Sequence, residues 1–139
     1  MGRGRAGYIA AIAIASIAAT GCATMSPEER AAKGAELNRT VPTCSSTKEC
    51  EVKWSAARQW ILTNSGWKIQ TMTNEYMETF NSVGSSTELA VQVQKLAQAD
   101  GSYKIAVKVW CDNIYGCRIP PLDAAIQFNQ FVTNAWKPQ

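Results

Sequence analysis

Five cysteines and no histidine bound the chemistry open to this 139-residue chain. Cys44 and Cys50 flank five residues, Cys111 and Cys117 flank another five, and Cys22 stands apart behind an apolar run. Structural zinc favours ligands two to four residues apart, and dithiol redox centres favour C-x-x-C, so neither chemistry matches a C-x5-C pair. The missing histidine removes the side chain most used for proton transfer near neutral pH and the commonest metal ligand. Ser45, Ser46, Ser85 and Ser86 therefore have no histidine base to activate them. The adjacent carboxylates Glu28 and Glu29, and the spaced pair Glu49 and Glu51, read as solvated, because acid and base work needs burial to drive two pKa values apart. Asp100, Asp112 and Asp123 sit in turn or cap contexts. Val83-Gly84-Ser85-Ser86 lacks the lysine and helix start of a phosphate cradle. The expectation is a protein with no catalytic residues, no metal and no cofactor.

The residues before Cys22 have three zones. Arg3 and Arg5 give a positive start, Ala6 to Ala19 is apolar, and Ala19-Thr20-Gly21-Cys22 closes the stretch with small residues. Cations followed by a short apolar helix and a small-residue cleavage site form an export signal. The apolar run is shorter than the ~20 residues that cross a bilayer core. Ala19-Thr20-Gly21-Cys22 resembles the lipobox of bacterial lipoproteins, in which the cysteine receives diacylglycerol and becomes the first residue after cleavage. Ala19 departs from the family's preference for a Leu-like residue three positions before the cysteine. The resemblance covers residues 1–23 and implies lipid attachment at Cys22. With Ala23 rather than Asp after the cysteine, it also implies sorting to the outer membrane, facing the periplasm. Several acyl chains on one residue give lasting attachment where a single chain is marginal.

Removing residues 1–21 leaves twelve basic against eleven acidic side chains, without a cationic run. Nucleic acid is thereby excluded as a partner, since phosphate binding draws on clustered cations. From Cys22 to Thr43 the chain is polar and short of large apolar groups, which reads as a lipidated tether. Within it, Ser26-Pro27-Glu28-Glu29 is a helix start of the capping-box kind, predicting a short helix to about Leu37.

Residues 44–139 carry the folded domain. Trp54, Ala57, Trp60 and Ile61 share one face of a helix over Val52 to Asn64, ended by Gly66 in a left-handed conformation. Trp67 to Met72 and Tyr76 to Phe80 read as short apolar stretches whose parity changes across Thr73-Asn74-Glu75, at a tight turn or bulge. Glu88 to Leu96 alternates, with Leu89, Val91 and Val93 inward. After a turn at Gln98-Ala99-Asp100-Gly101, Tyr103, Ile105, Val107 and Val109 again point inward. Pro120-Pro121 opens a last helix, Leu122 to Trp136, with Ala125, Phe128, Val132 and Trp136 on its apolar stripe.

This order predicts an α+β domain: an antiparallel sheet of three or four strands, with an N-terminal and a C-terminal helix on one face. Element order alone is loosely similar to the helix-grip domains of some envelope lipoproteins. Export places Cys44, Cys50, Cys111 and Cys117 where thiols oxidise, so they read as two disulfides with three pairings open. A four-strand meander sets the end of the last strand far from the start of the first helix and favours local pairs. One long bent strand over Trp67 to Phe80 would instead bring Cys111 near Cys50. Trp110 has the opposite parity to Val107 and Val109, so it faces away from the helices beside Lys108. With Asn113, Ile114 and Tyr115 it forms a candidate contact patch. The expected function is a membrane-anchored, non-enzymatic interaction or accessory module, held by N-terminal lipid and meeting an envelope protein. The alternative is a binding domain for a small apolar ligand or glycan between the sheet and the last helix.

Overall fold

A computed structural model describes residues 24–137; the lipobox-like stretch and Cys22, the expected lipid attachment site, lie outside them. The chain runs α1 (Pro27–Arg39), β1 (Thr43–Cys44), α2 (Thr47–Asn64), β2 (Ile69–Met72), β3 (Tyr76–Thr79), β4 (Ala90–Ala97), β5 (Tyr103–Trp110) and α3 (Pro121–Asn134). It is an α+β fold with a five-stranded antiparallel sheet ordered β1-β5-β4-β3-β2. β2 to β5 form the expected meander. The further strand, β1, lies on the free edge of β5, with Thr43 opposite Lys104 and Cys44 opposite Tyr103.

The hairpin of β4 and β5 is the spine of the sheet. Val91 faces Val109 and Val93 faces Val107 in register, so their side chains form one apolar surface. Gly101 takes φ +82 in the connecting turn, a conformation that costs other residues a Cβ clash. Asp100 fixes that turn by accepting from both the hydroxyl and the N–H of Ser102, and these bonds hold its carboxyl below the usual range. β2 and β3 are separate strands around Thr73, whose hydroxyl accepts from the N–H groups of Glu75 and Tyr76.

α2 and α3 cover the apolar surface. Trp54, Ala57, Trp60 and Ile61 of α2 and Ala124, Phe128 and Val132 of α3 share one core with Met77, Leu89, Val91, Val93 and Ile105. Trp60 meets Phe128 edge to face at 5.4 Å between ring centroids. Such an arrangement sets the positive ring edge against the negative ring face.

The start of α2, the end of α3 and the conformation of Gly66 differ most from the sequence reading. α2 begins at Thr47, five residues before Val52, because Ser46 caps it: its hydroxyl accepts from the Glu49 N–H at 3.2 Å. α3 stops at Asn134, where the Ala135 N–H bonds back to Val132 and tightens the last turn. Trp136 is consequently outside the helix and only half-buried rather than on the core stripe. Gly66 is not left-handed. The chain leaves α2 through an extended Ser65, and a Cβ on Gly66 would lie 2.5 Å from the Cβ of Glu88, so close approach explains the glycine.

Within the stretch read as tether, α1 forms with Ser26 as its cap, the hydroxyl accepting from the Glu29 N–H. No side chain of α1 is buried, and polar contacts fix it to α3. Lys33 Nζ lies 2.7 Å from Asp123 Oδ1, and the Asn129 amide donates to the Leu37 carbonyl and the Thr40 hydroxyl, both at 3.1 Å. The hydrogen bond to Asp123 raises the Lys33 pKa. Lys33 meets the start of α3 while Leu37 and Thr40 meet its middle, so the two helices run in the same direction.

Candidate contact site at the end of the sheet

The disulfides are Cys44–Cys50 and Cys111–Cys117, the local pairing. Register gives the reason. Cys44 sits opposite Tyr103 at the start of β5, whereas Cys111 follows Trp110 at its end. Eight residues at ~3.3 Å each separate them by roughly 25 Å, far beyond the Cα spacing a disulfide can bridge.

The Cys111–Cys117 loop lies against residues 81–86, which connect β3 to β4. The Ser85 N–H donates to Asp112 Oδ2 at 3.1 Å, and the Asn113 amide donates to the Ser85 carbonyl. The Asp112 N–H donates to Ser82 Oγ at 3.0 Å, and Ser82 in turn donates to the Glu88 carbonyl. Trp110 Nε1 donates to Asn81 Oδ1 at 2.7 Å. Gly84 and Ser85 both take positive φ, making the sharp reversal that turns the Ser85 N–H toward Asp112. Each hydrogen bond is worth about 1 kcal/mol, and together with the disulfide they hold two otherwise solvated loops in one arrangement.

On this braced tip Ile114 and Tyr115 are 92% and 94% exposed, and Val83, on the β3–β4 connection bonded to their loop, is 56% exposed. Of the four residues expected to form a patch, these two face solvent and the other two are braces. Trp110 does lie on the open face with Lys108, whose ammonium sits 5.4 Å from the centre of its ring, but it is half-buried. Asn113 ties the two loops and also accepts from the Tyr115 N–H. Val83 was missed because Val83-Gly84-Ser85-Ser86 reads as a polar loop. Phe80, two residues beyond Glu78 along the same strand direction, is about half exposed near this end.

The open face of the sheet carries a polar row. Gln92 donates to the Tyr76 hydroxyl, which donates to Glu78, both at 2.7 Å. The bond from Gln92 acts to lower the Tyr76 pKa, but the acceptor and charge of Glu78 together with burial outweigh it, and the net shift is upward.

At the opposite end a cleft of about 410 Å³ opens between the start of α2 and the β4–β5 turn. Lys95 lies there with its ammonium 5.6 Å from the Trp54 ring and 5.3 Å from the Tyr103 ring. The space between the sheet and α3, expected by the alternative reading to hold a ligand, is filled by Phe128 and Val132 against Ile105 and Val107. Ser45 and Ser46 serve the helix start: the Ser45 N–H and hydroxyl both donate to Glu49. Among the described residues no group of three His, Cys, Asp or Glu could hold a metal ion, and no helix is long and apolar enough to cross a membrane.

No family model, curated protein or solved structure matches this chain. The functional reading therefore rests on its own residues.

Proposed function

We propose that the chain is a lipoprotein of the bacterial envelope, anchored through Cys22, and that its domain is a non-enzymatic interaction or accessory module. The observation that carries this reading is the tip, where Ile114 and Tyr115 project almost wholly into water from a loop fixed by a disulfide and a hydrogen-bond network. Large apolar side chains held rigid in solvent lose little entropy on docking, which suits them to meeting another component of the envelope. The export signal and lipobox support the anchor, and the two disulfides suit an oxidising compartment. Outer-membrane attachment facing the periplasm follows the family's sorting tendency at Ala23.

Intact mass spectrometry of protein recovered from bacterial membranes tests the anchor. The expected product begins at Cys22 and carries acyl chains, and a Cys22→Ala variant loses both the added mass and the membrane association. An unacylated chain recovered in the soluble fraction would overturn the reading.

A further inference from the structure

We infer that the tip formed by Val83, Ile114 and Tyr115 is a second membrane contact, seated in the same bilayer surface that holds the Cys22 lipid. The inference rests on the lipoprotein reading and adds the occupant of the exposed tip.

The leash between the anchor and the domain is short. Three residues, Ala23, Thr24 and Met25, separate Cys22 from Ser26, the cap of α1. Even fully extended, such a link reaches roughly 14 Å. The start of α1 is therefore confined close to any bilayer in which Cys22 is acylated. The helix cannot swing freely, because Lys33 is bound to Asp123 and Asn129 to Leu37 and Thr40. The leash thus positions the whole domain.

The end of the domain that faces the bilayer follows from the same contacts. α1 runs alongside α3 in the same direction, and Pro27 precedes Lys33 by six residues, about 9 Å of helix rise, so α1 starts past the first turn of α3. α3 itself starts four residues after Cys117. The end of β5, the Cys111–Cys117 loop, the start of α3 and the start of α1 consequently share one end of the molecule. The cleft near Lys95 and Trp54 lies at the far end.

The tip has the composition for this position. Ile114 and Val83 offer aliphatic surface, and Tyr115 offers a ring whose apolar body and polar hydroxyl suit the headgroup boundary. Several of its backbone polar groups are engaged before contact: the Tyr115 N–H with Asn113, the Ser85 N–H with Asp112, the Ser85 carbonyl with Asn113. Each backbone group paired in advance lowers the cost of leaving water when the loop enters the headgroup region. Insertion of two or three side chains is weak by itself. Next to an acyl anchor the tip works at high effective concentration, so shallow insertion fixes the orientation of the domain.

The test is quenching by lipids in vesicles. Acylated full-length Tyr115→Trp protein is reconstituted into mixed phosphatidylethanolamine and phosphatidylglycerol vesicles whose acyl chains are brominated near the headgroup. The emission gained over the wild type is the signal of residue 115. Insertion predicts a loss of that signal by about twofold or more, and a Leu96→Trp control, exposed beside the β4–β5 turn at the far end, stays bright. A bright residue-115 signal in protein whose mass shows acyl chains would overturn this inference and leave the anchor intact. If the same protein became shielded only when native membranes replaced pure lipid, the occupant would be a protein and the inference would again fail. Mass spectra without acyl chains would remove the anchor and, with it, the leash on which this inference depends.

Discussion

The two ends of the sheet carry the same covalent device in opposite settings. Both disulfides join cysteines six positions apart. At the α2 end, Cys44 and Cys50 are 1% and 8% exposed, and the bond clamps β1 onto the first turn of α2. Lys53, also buried there, reaches Glu49 at 2.7 Å and the Thr43 carbonyl at 2.6 Å. At the other end Cys111 and Cys117 are half-buried, Cys117 against the rim of the core, and enclose a loop whose most prominent side chains point away from the fold. The first bond belongs to the core, and the second shapes a surface. Equal spacing makes the comparison quantitative, since closing equal loops constrains the unfolded chain equally, by about 2 kcal/mol each in the chain-entropy account. Any difference between the two must come from the folded state.

The largest effect is expected from Cys44→Ala with Cys50→Ala. It loses the loop term and leaves a buried void between β1 and α2, so the total is about 4 kcal/mol by urea unfolding. Cys111→Ala with Cys117→Ala should cost less, about 2 to 3 kcal/mol, the loop term plus a smaller packing loss where the half-buried Cys117 meets the core. Equal losses at the two ends would break the comparison and show that the tip is packed as tightly as the core.

Glu49→Gln probes the buried end further. In the wild type the hydrogen bond from Lys53, then that from the Ser45 N–H, holds the Glu49 carboxyl below its ordinary value of 4.5. A carboxylate depressed in the folded state stabilises fully above its unfolded pKa, and the effect is lost as pH falls through the depressed folded value. The gap in stability between wild type and Glu49→Gln should therefore be widest at neutral pH and close in acid. About 1 to 2 kcal/mol is expected at pH 7, because Lys53 is left buried without its anionic partner. A gap independent of pH would mean that Glu49 acts through helix capping alone.

How much of this contrast was readable in the sequence follows from how local each signal is. The β4–β5 hairpin announces itself, since its alternation and its Asp100-Gly101 turn lie within one continuous stretch. The α2 face was equally plain from Trp54, Ala57, Trp60 and Ile61. The start of α2 is also written locally, in Ser46-Thr47-Lys48-Glu49, which repeats the capping pattern of Ser26-Pro27-Glu28-Glu29, but it lies inside the Cys44–Cys50 loop, ahead of the apolar period that marks the helix. β1 carried no such signal. Two residues have no period, and Thr43–Cys44 is a strand only because β5, some sixty residues later, offers it a free edge. The tip divides in the same way. Trp110 could be assigned to the open face by counting parity, whereas the bracing role of Asn113 depends on Ser85, and Asp112 on Ser82, contacts that span about thirty residues and form only once the sheet is complete.

The smallest expected effect is the most telling about the tip. Ile114→Ser with Tyr115→Ser should change stability by no more than about 0.5 kcal/mol, because side chains this exposed bury almost nothing in the fold. Removing exposed apolar surface also improves solubility. A fold that gains nothing from keeping isoleucine and tyrosine in water, yet uses a disulfide and a network of hydrogen bonds to hold them there, has placed them for a contact outside itself. Urea unfolding of the double variant checks the premise. A loss above about 1 kcal/mol would mean that both side chains pack on the domain, and the division between a core disulfide and a surface disulfide would have to be redrawn.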